Sequence, residues 1–178
     1  MAYAAAVEAY SRGLVLLEAR RFRDAIECLD QAIDAFDRGM LEPDSRTRFA
    51  YFKRGCAKLE LQQFEAAIPD FDRALELDPE LVLAYAQRGR SKARLSHYAA
   101  AVEDFDAALA LEKDPNDWSR DPLVDLALVD MQRGYSFEHL GRNAEAVAAF
   151  QQAIERGLSK ELATRARKAR DAIAGADT

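Results

Sequence analysis

Few side chains in this sequence are of types that do chemistry. There are only two histidines, His97 and His139, and two cysteines, Cys28 and Cys56. Catalysis by the common routes needs a nucleophile, a base and a group that holds them. His97 falls in an expected turn and His139 near an expected helix end, and neither has the HExxH spacing that sets two ligands on one face. Both read as surface residues near helix termini. The cysteines are far apart and lack a CxxC spacing, so they make no zinc site and fit free thiols in a reducing compartment. Each lies on an expected helix, where a thiol packs as a small apolar group. Glu76, Asp78 and Glu80 could suggest a divalent cation site, but a helix end followed by Asp-Pro accounts for them, and no loop has EF-hand spacing. The phosphate-cradling patterns GxxxxGKS/T and GxGxxG are absent. The expectation is no enzyme, no cofactor and no metal.

The composition describes what must position side chains instead. The chain has 178 residues, 49% hydrophobic and 31% charged, with only 8 Gly and 5 Pro and a formal charge of −6, which fits one soluble, helix-rich domain. A chain of this size buries roughly 70% of its unfolded surface and needs no disulfide or metal to hold a core. No apolar run approaches a membrane span, and the N-terminal residues lack the basic and apolar regions of a signal peptide, so a cytoplasmic location is expected. Residues 156–178 carry six cations against three anions. A nucleic-acid or lipid patch is one reading of them. With an acidic chain overall and no interleaved aromatic to stack a base, the solvated face of a terminal helix is favoured, and neither nucleic acid nor membrane is expected as a partner.

The strongest signal is an internal repeat. Arg-Gly occurs four times, at Arg12-Gly13, Arg54-Gly55, Arg88-Gly89 and Arg133-Gly134. An aromatic follows nine residues after the glycine in three copies (Phe22, Phe64, Tyr98), and Ala follows twelve after it in all four (Ala25, Ala67, Ala101, Ala146). Four residues on stands Leu29, Phe71, Phe105 or Phe150, then three further Ala32, Ala74, Ala108 or Ala153. Offsets of 3 and 4 are helical neighbours, so each copy holds two helices, one with the glycine and one with the Ala/large/Ala ladder. Asp30, Asp72 and Asp106 recur in register, which favours Arg-to-Asp bridges between helices over an anion-binding ladder of arginines. A last segment opens at Ser159, with a seam of Leu162, Ala166, Ala169 and Ile173 that suits a capping helix.

This pattern resembles the tetratricopeptide repeat family, best in residues 48–81 with Gly55, Phe64, Ala67, Phe71, Ala74 and Pro79. The resemblance implies an all-α fold, a right-handed α-solenoid of four helical hairpins at about residues 6–39, 48–81, 82–115 and 127–160, with a capping helix over about 159–174, all one domain. Departures accompany it. The glycines stand 42, 34 and 45 residues apart, so two junctions carry insertions, around 37–47 and 113–123. Pro43-Asp44-Ser45 and Asp121-Pro122 read as the helix starts that follow them. Asn143 replaces the aromatic in the fourth copy, and Lys58 and Lys92 stand where the family often has tyrosine. Pro69 predicts a local irregularity, not a lost helix. Trp118, in the second insertion, is either packed on its own array or a contact residue.

The glycine helices carry an apolar stripe beyond what a hairpin needs. Tyr10, Leu14 and Leu17 follow Val7 in the first copy, Phe49, Phe52, Cys56 and Leu59 repeat the spacing in the second, and Met131 and Tyr135 continue it in the fourth. In the third copy the stripe gives way to Arg90 and Arg94. The resemblance implies that these positions line a concave groove for an extended peptide or helix; ordinary core between repeats is the competing reading. The Lys/Asn set of family members that clamp a chaperone's C-terminal carboxylate is absent. The expectation is a protein or peptide partner with apolar anchors and an acidic residue. The alternative is a homo-oligomeric scaffold, because no polar residue caps the helix around residues 2–6 and the first copy has an open end.

Overall fold

The computed structural model describes residues 2–38, 45–111 and 125–176. Among these residues there are nine helices and no strand: α1 (Ala2–Glu18), α2 (Phe22–Arg38), α3 (Ser45–Glu60), α4 (Phe64–Leu77), α5 (Val82–Arg94), α6 (Tyr98–Ala110), α7 (Leu126–His139), α8 (Asn143–Glu155) and α9 (Lys160–Ala176). The fold class is all-α and built from helical hairpins. α1 packs on α2, α3 on α4 and α7 on α8, while α2 meets α3, α6 meets α7 and α8 meets α9. The chain forms two compact units, residues 1–91 and 92–178, the division falling within α5.

Three of the hairpins close around the repeated glycine. A Cβ placed on Gly13 would lie 3.0 Å from Leu29, and one on Gly55 or Gly134 would lie 2.8 Å from the ring of Phe71 or Phe150. Those three large residues are fully buried. In the first unit they join Ile33, Phe52, Leu59, Leu75 and Leu81 in one core. In the second, Phe150 packs with Met131, Phe137, Leu158, Ala166 and Ile173, so α9 lays on the core the seam read from its sequence.

The turns within the hairpins share one geometry. Arg20 (φ 57°), Gln62 (60°), Ser96 (62°) and Gly141 (71°) are left-handed, each two residues before the next helix. The following N–H closes a six-residue ring onto the first helix, from Arg21 to the Leu16 carbonyl at 2.8 Å and from Gln63, His97 and Arg142 to Lys58, Lys92 and Phe137 at 2.9 Å. Only one of the four positions is glycine, so the other three accept about 1 kcal/mol of backbone strain. Two expected starts fall at the edge of the described residues. α3 begins at Ser45, with Pro43 and Asp44 outside them. α7 is capped by Asp125, whose carboxylate accepts from the Leu128 N–H at 3.0 Å, so the cap is not the Asp121 of the sequence reading, which lies outside them as Trp118 does. α4 runs unbroken through Pro69.

The Arg-to-Asp bridges are present, and they join consecutive hairpins. Arg54 Nη1 meets Asp30 at 2.6 Å, Arg88 Nη1 meets Asp72 at 2.5 Å and Arg133 Nη1 meets Asp106 at 2.7 Å. Arg54 also reaches within its own hairpin to buried Asp70 through Nη2 at 2.5 Å. Lys58 Nζ completes that cluster at 2.8 Å, and Lys92 pairs with buried Asp104 at 2.8 Å in the same register. The corresponding positions are Leu16 and Cys28 in the first copy and Phe137 and Ala149 in the fourth. The lysines that depart from the family pattern therefore have carboxylates built for them.

Asp70 and Asp30 separate buried from exposed pairing. Asp70→Ala takes the buried carboxylate from the largely buried Lys58 and leaves Arg54 only the exposed Asp30, and is expected to destabilise by about 3 kcal/mol. Asp30→Ala removes an exposed partner and is expected to change stability by no more than about 1 kcal/mol. Urea denaturation at pH 7 measures both, and equal effects would refute the distinction.

Candidate functional site

The glycine helices carry the residues whose spacing suggested a binding face. In the first unit Tyr10, Leu14 and Leu17 on α1 and Phe49 and Cys56 on α3 remain partly exposed. Phe52 and Leu59 do not: each is 4% exposed, and the Phe52 ring lies against Phe71 at 6.0 Å. They are core residues that support the stripe from beneath. Helix geometry explains the split, because a residue turned toward its own hairpin's ladder is covered while neighbours one step around are not. Tyr10 is held edge-on to Phe36, with ring centroids 6.5 Å apart. Its phenol is pushed above the ordinary range by burial, with Arg46 opposing.

Cys56 is partly buried against the core of the first unit. Burial pushes its thiol up from an ordinary 9.0 to about 12, while Lys53 and Arg90 pull it down and Glu60 adds to the rise. Lys53 and Arg90 are thus the cations whose charge reaches the Cys56 thiol. Lys53 also lies over the Phe52 ring at 5.6 Å. Lys53 and Arg90 have no ion pair among the described residues, in contrast to Arg54 and Arg88 on the same helices. Arg90 was legible in the sequence; Lys53 was not, although its place beside Phe52 and one turn before Cys56 was available to be read.

In the second unit Tyr135 is half-buried and meets Phe150 edge-on at 4.9 Å, and Arg94 is exposed. Met131 is 7% exposed and belongs to the core. His97 and His139 are exposed; His139 stacks on Tyr98 at 4.3 Å, a contact that no sequence signal announced. Among the described residues no group of His, Cys, Asp or Glu could hold a metal ion, and no helix is long and apolar enough to cross a membrane.

The sequence model of the tetratricopeptide repeat matches residues 10–47 and 86–160, and a second model of the same repeat matches 49–81. The chain belongs to the tetratricopeptide repeat family. Among solved structures it is similar to YrrB, described as a TPR protein with an unusual peptide-binding site, at 22% identity over 92% of this chain and 75% of that one, TM-score 0.73. MamA matches at 20% identity over 85% of this chain and 77% of that one, TM-score 0.70. The TPR2B domain of yeast Sti1, solved in a pHsp70 complex, matches at 23% identity over 75% of this chain and 97% of that one, TM-score 0.62. At these identities the likeness is one of fold. Family members of this kind are in general interaction domains and not enzymes.

The position of the Cys56 thiol makes stability pH-dependent. The folded chain keeps a proton that the unfolded chain gives up near pH 9, so this contribution is complete below that pH and is lost as pH rises toward 12. Cys56→Ala is expected to lose stability less steeply than the parent above pH 9, the difference approaching about 1.4 kcal/mol per pH unit. Chemical denaturation from pH 8 to 10.5 tests this; parallel curves would refute it.

Proposed function

We propose that this protein is a non-enzymatic interaction module that takes a peptide or helix of a partner protein along its glycine helices. The first unit supplies apolar contacts from Tyr10, Leu14, Leu17, Phe49 and Cys56 and a cationic border from Lys53 and Arg90. Arg94 and half-buried Tyr135 give the second unit a binding surface of its own, of the same chemistry. The partner carries apolar anchors and an acidic residue, because two cations without carboxylates beside half-exposed apolar side chains ask for both. That pairing of Lys53 and Arg90 with the stripe is the observation that carries the reading.

Support also comes from relatives of the same fold that hold peptides, including the RPAP3 domain bound to the HSP90 peptide SRMEEVD at 20% identity and TM-score 0.62. The family's carboxylate-clamp residues are not at the matching positions, so recognition here rests on side-chain anchors. The free thiols of Cys28 and Cys56 favour a reducing compartment such as the cytoplasm. A homo-oligomeric scaffold is a second reading, favoured by the face of α1 that is exposed among the described residues.

Selection from a displayed peptide library is expected to yield acidic sequences with two or more apolar anchors. Lys53→Glu combined with Arg90→Glu should weaken the selected peptides at least about tenfold and leave far-UV circular dichroism unchanged. Enrichment of basic peptides, or unaltered affinity in the double variant, would overturn the assignment. Phe52 is unsuitable for this test, because a charge there enters the core.

A further inference from the structure

Val15 is the most exposed large apolar side chain among the described residues, at 64%. Its counterparts in α3, α5 and α7 are Ala57, Ser91 and Ser136, each 1% exposed or less. On α3 and α7 those residues share a face with Arg54 and Arg133, which reach Asp30 on α2 and Asp106 on α6. The face is thus where a glycine helix receives the helix of the hairpin before it. On α1 it bears Ala4, Ala5, Glu8, Ser11, Arg12, Val15 and Ala19, all exposed. Arg12 is the counterpart of Arg54 and Arg133, yet neither Arg12 nor Glu8 has an ion pair among the described residues.

The internal interfaces state what would cover such a face: a helix offering Arg12 a carboxylate and Val15 an apolar bed. Glu8 adds a third requirement, a cation one turn away from that carboxylate, because the buried counterparts of Glu8 are Ala50, Ala84 and Val129. α1 itself, run antiparallel, meets all three. We propose that this face is a self-association surface on which α1 of a second copy packs about a two-fold axis. Arg12 of each copy meets Glu8 of the other, and Val15 of each lies over Ala4 and Ala5 of the other. Ser11, beside the centre, already donates its hydroxyl to the Val7 carbonyl at 2.8 Å, so covering it strands no donor. Residues 4, 8, 11 and 15 follow the 4-3-4 spacing of a helix-pair seam, and the small residues allow close approach. An intrahelical Glu8–Arg12 pair would contribute only about 0.3 to 0.5 kcal/mol, so the charges exchange partners easily.

One helix face is a small interface, at or below about 1,200 Å², which makes the dimer weak and dependent on concentration. This surface lies on a different side of α1 from Tyr10 and Leu14, so it neither requires nor excludes the peptide reading. Sedimentation equilibrium of the full chain, from low to several hundred micromolar, provides the test. The parent should show a monomer–dimer equilibrium and Val15→Asp a monomer throughout. Arg12→Glu sets like charges against each other and should weaken the dimer at least about tenfold, while Glu8→Arg combined with Arg12→Glu restores complementarity and should return it to near the parent value. All three variants alter exposed side chains, and circular dichroism checks that they fold. A parent that stays monomeric, a dimer indifferent to Arg12→Glu, or a double variant that fails to recover would each overturn the proposal. Peptide binding at Lys53 and Arg90 should be unchanged in every variant.

Discussion

The architecture depends on one close contact: a residue without a side chain on the first helix of a hairpin, and the largest side chain of the second helix pressed into the space. At Gly55 and Gly134 even a methyl group would lie 2.8 Å from the facing ring. That approach fixes the distance between the two helices, and the flanking alanines, fully buried, allow it to continue along the hairpin. Once the separation is set, the turn must reverse the chain within a few residues. Left-handed backbone at Arg20, Gln62, Ser96 and Gly141 accomplishes this whether or not the residue favours it. Packing supplies the free energy that holds three of these turns in a strained geometry.

Charge then does a second job. The arginine beside each of the three later glycines reaches back to an aspartate of the preceding hairpin, so the residue that marks the close contact also links one hairpin to the next. Inside the second and third copies a lysine and a buried aspartate replace the apolar pair of the first and fourth. With these groups paired internally, the surface has fewer charges free to meet a partner. Lys53 and Arg90 stand apart from that network, beside half-exposed aromatic and aliphatic side chains, and this gives the first unit a surface of definite chemistry. The same logic applies to α1, where Arg12 has no ion pair among the described residues.

Much of this was legible in the sequence, because it recurs. The Arg-Gly pairs, the ladder residues Leu29, Phe71 and Phe150, and the Asp30–Asp72–Asp106 series all keep one spacing, and the structure joins them as that spacing suggested. What recurs less was read less well. Phe52, Leu59 and Met131 share the stripe's period with Tyr10 and Phe49, and a period locates a face without revealing how deeply each member is covered. Lys58 and Lys92 looked like mere departures because Asp70 and Asp104 lie twelve residues away on another helix. The turn geometry gave no signal at Arg20, Gln62 or Ser96, since tertiary packing and not residue preference imposes it. The Asp125 cap of α7 gave no comparable signal, and Asp121-Pro122, the start read from the sequence, lies outside the described residues.

The contact at the glycine is best tested by a double-mutant cycle between Gly55 and Phe71, read by urea denaturation. Gly55→Ala alone should destabilise by about 1 to 3 kcal/mol, the usual effect of overpacking. In a Phe71→Leu background, which imitates the Gly13–Leu29 pair of the first hairpin, the same substitution should cost less than half as much, a coupling of at least about 0.5 kcal/mol. An alanine tolerated in the parent, or equally harmful in both backgrounds, would show that helix separation is set by something other than this contact.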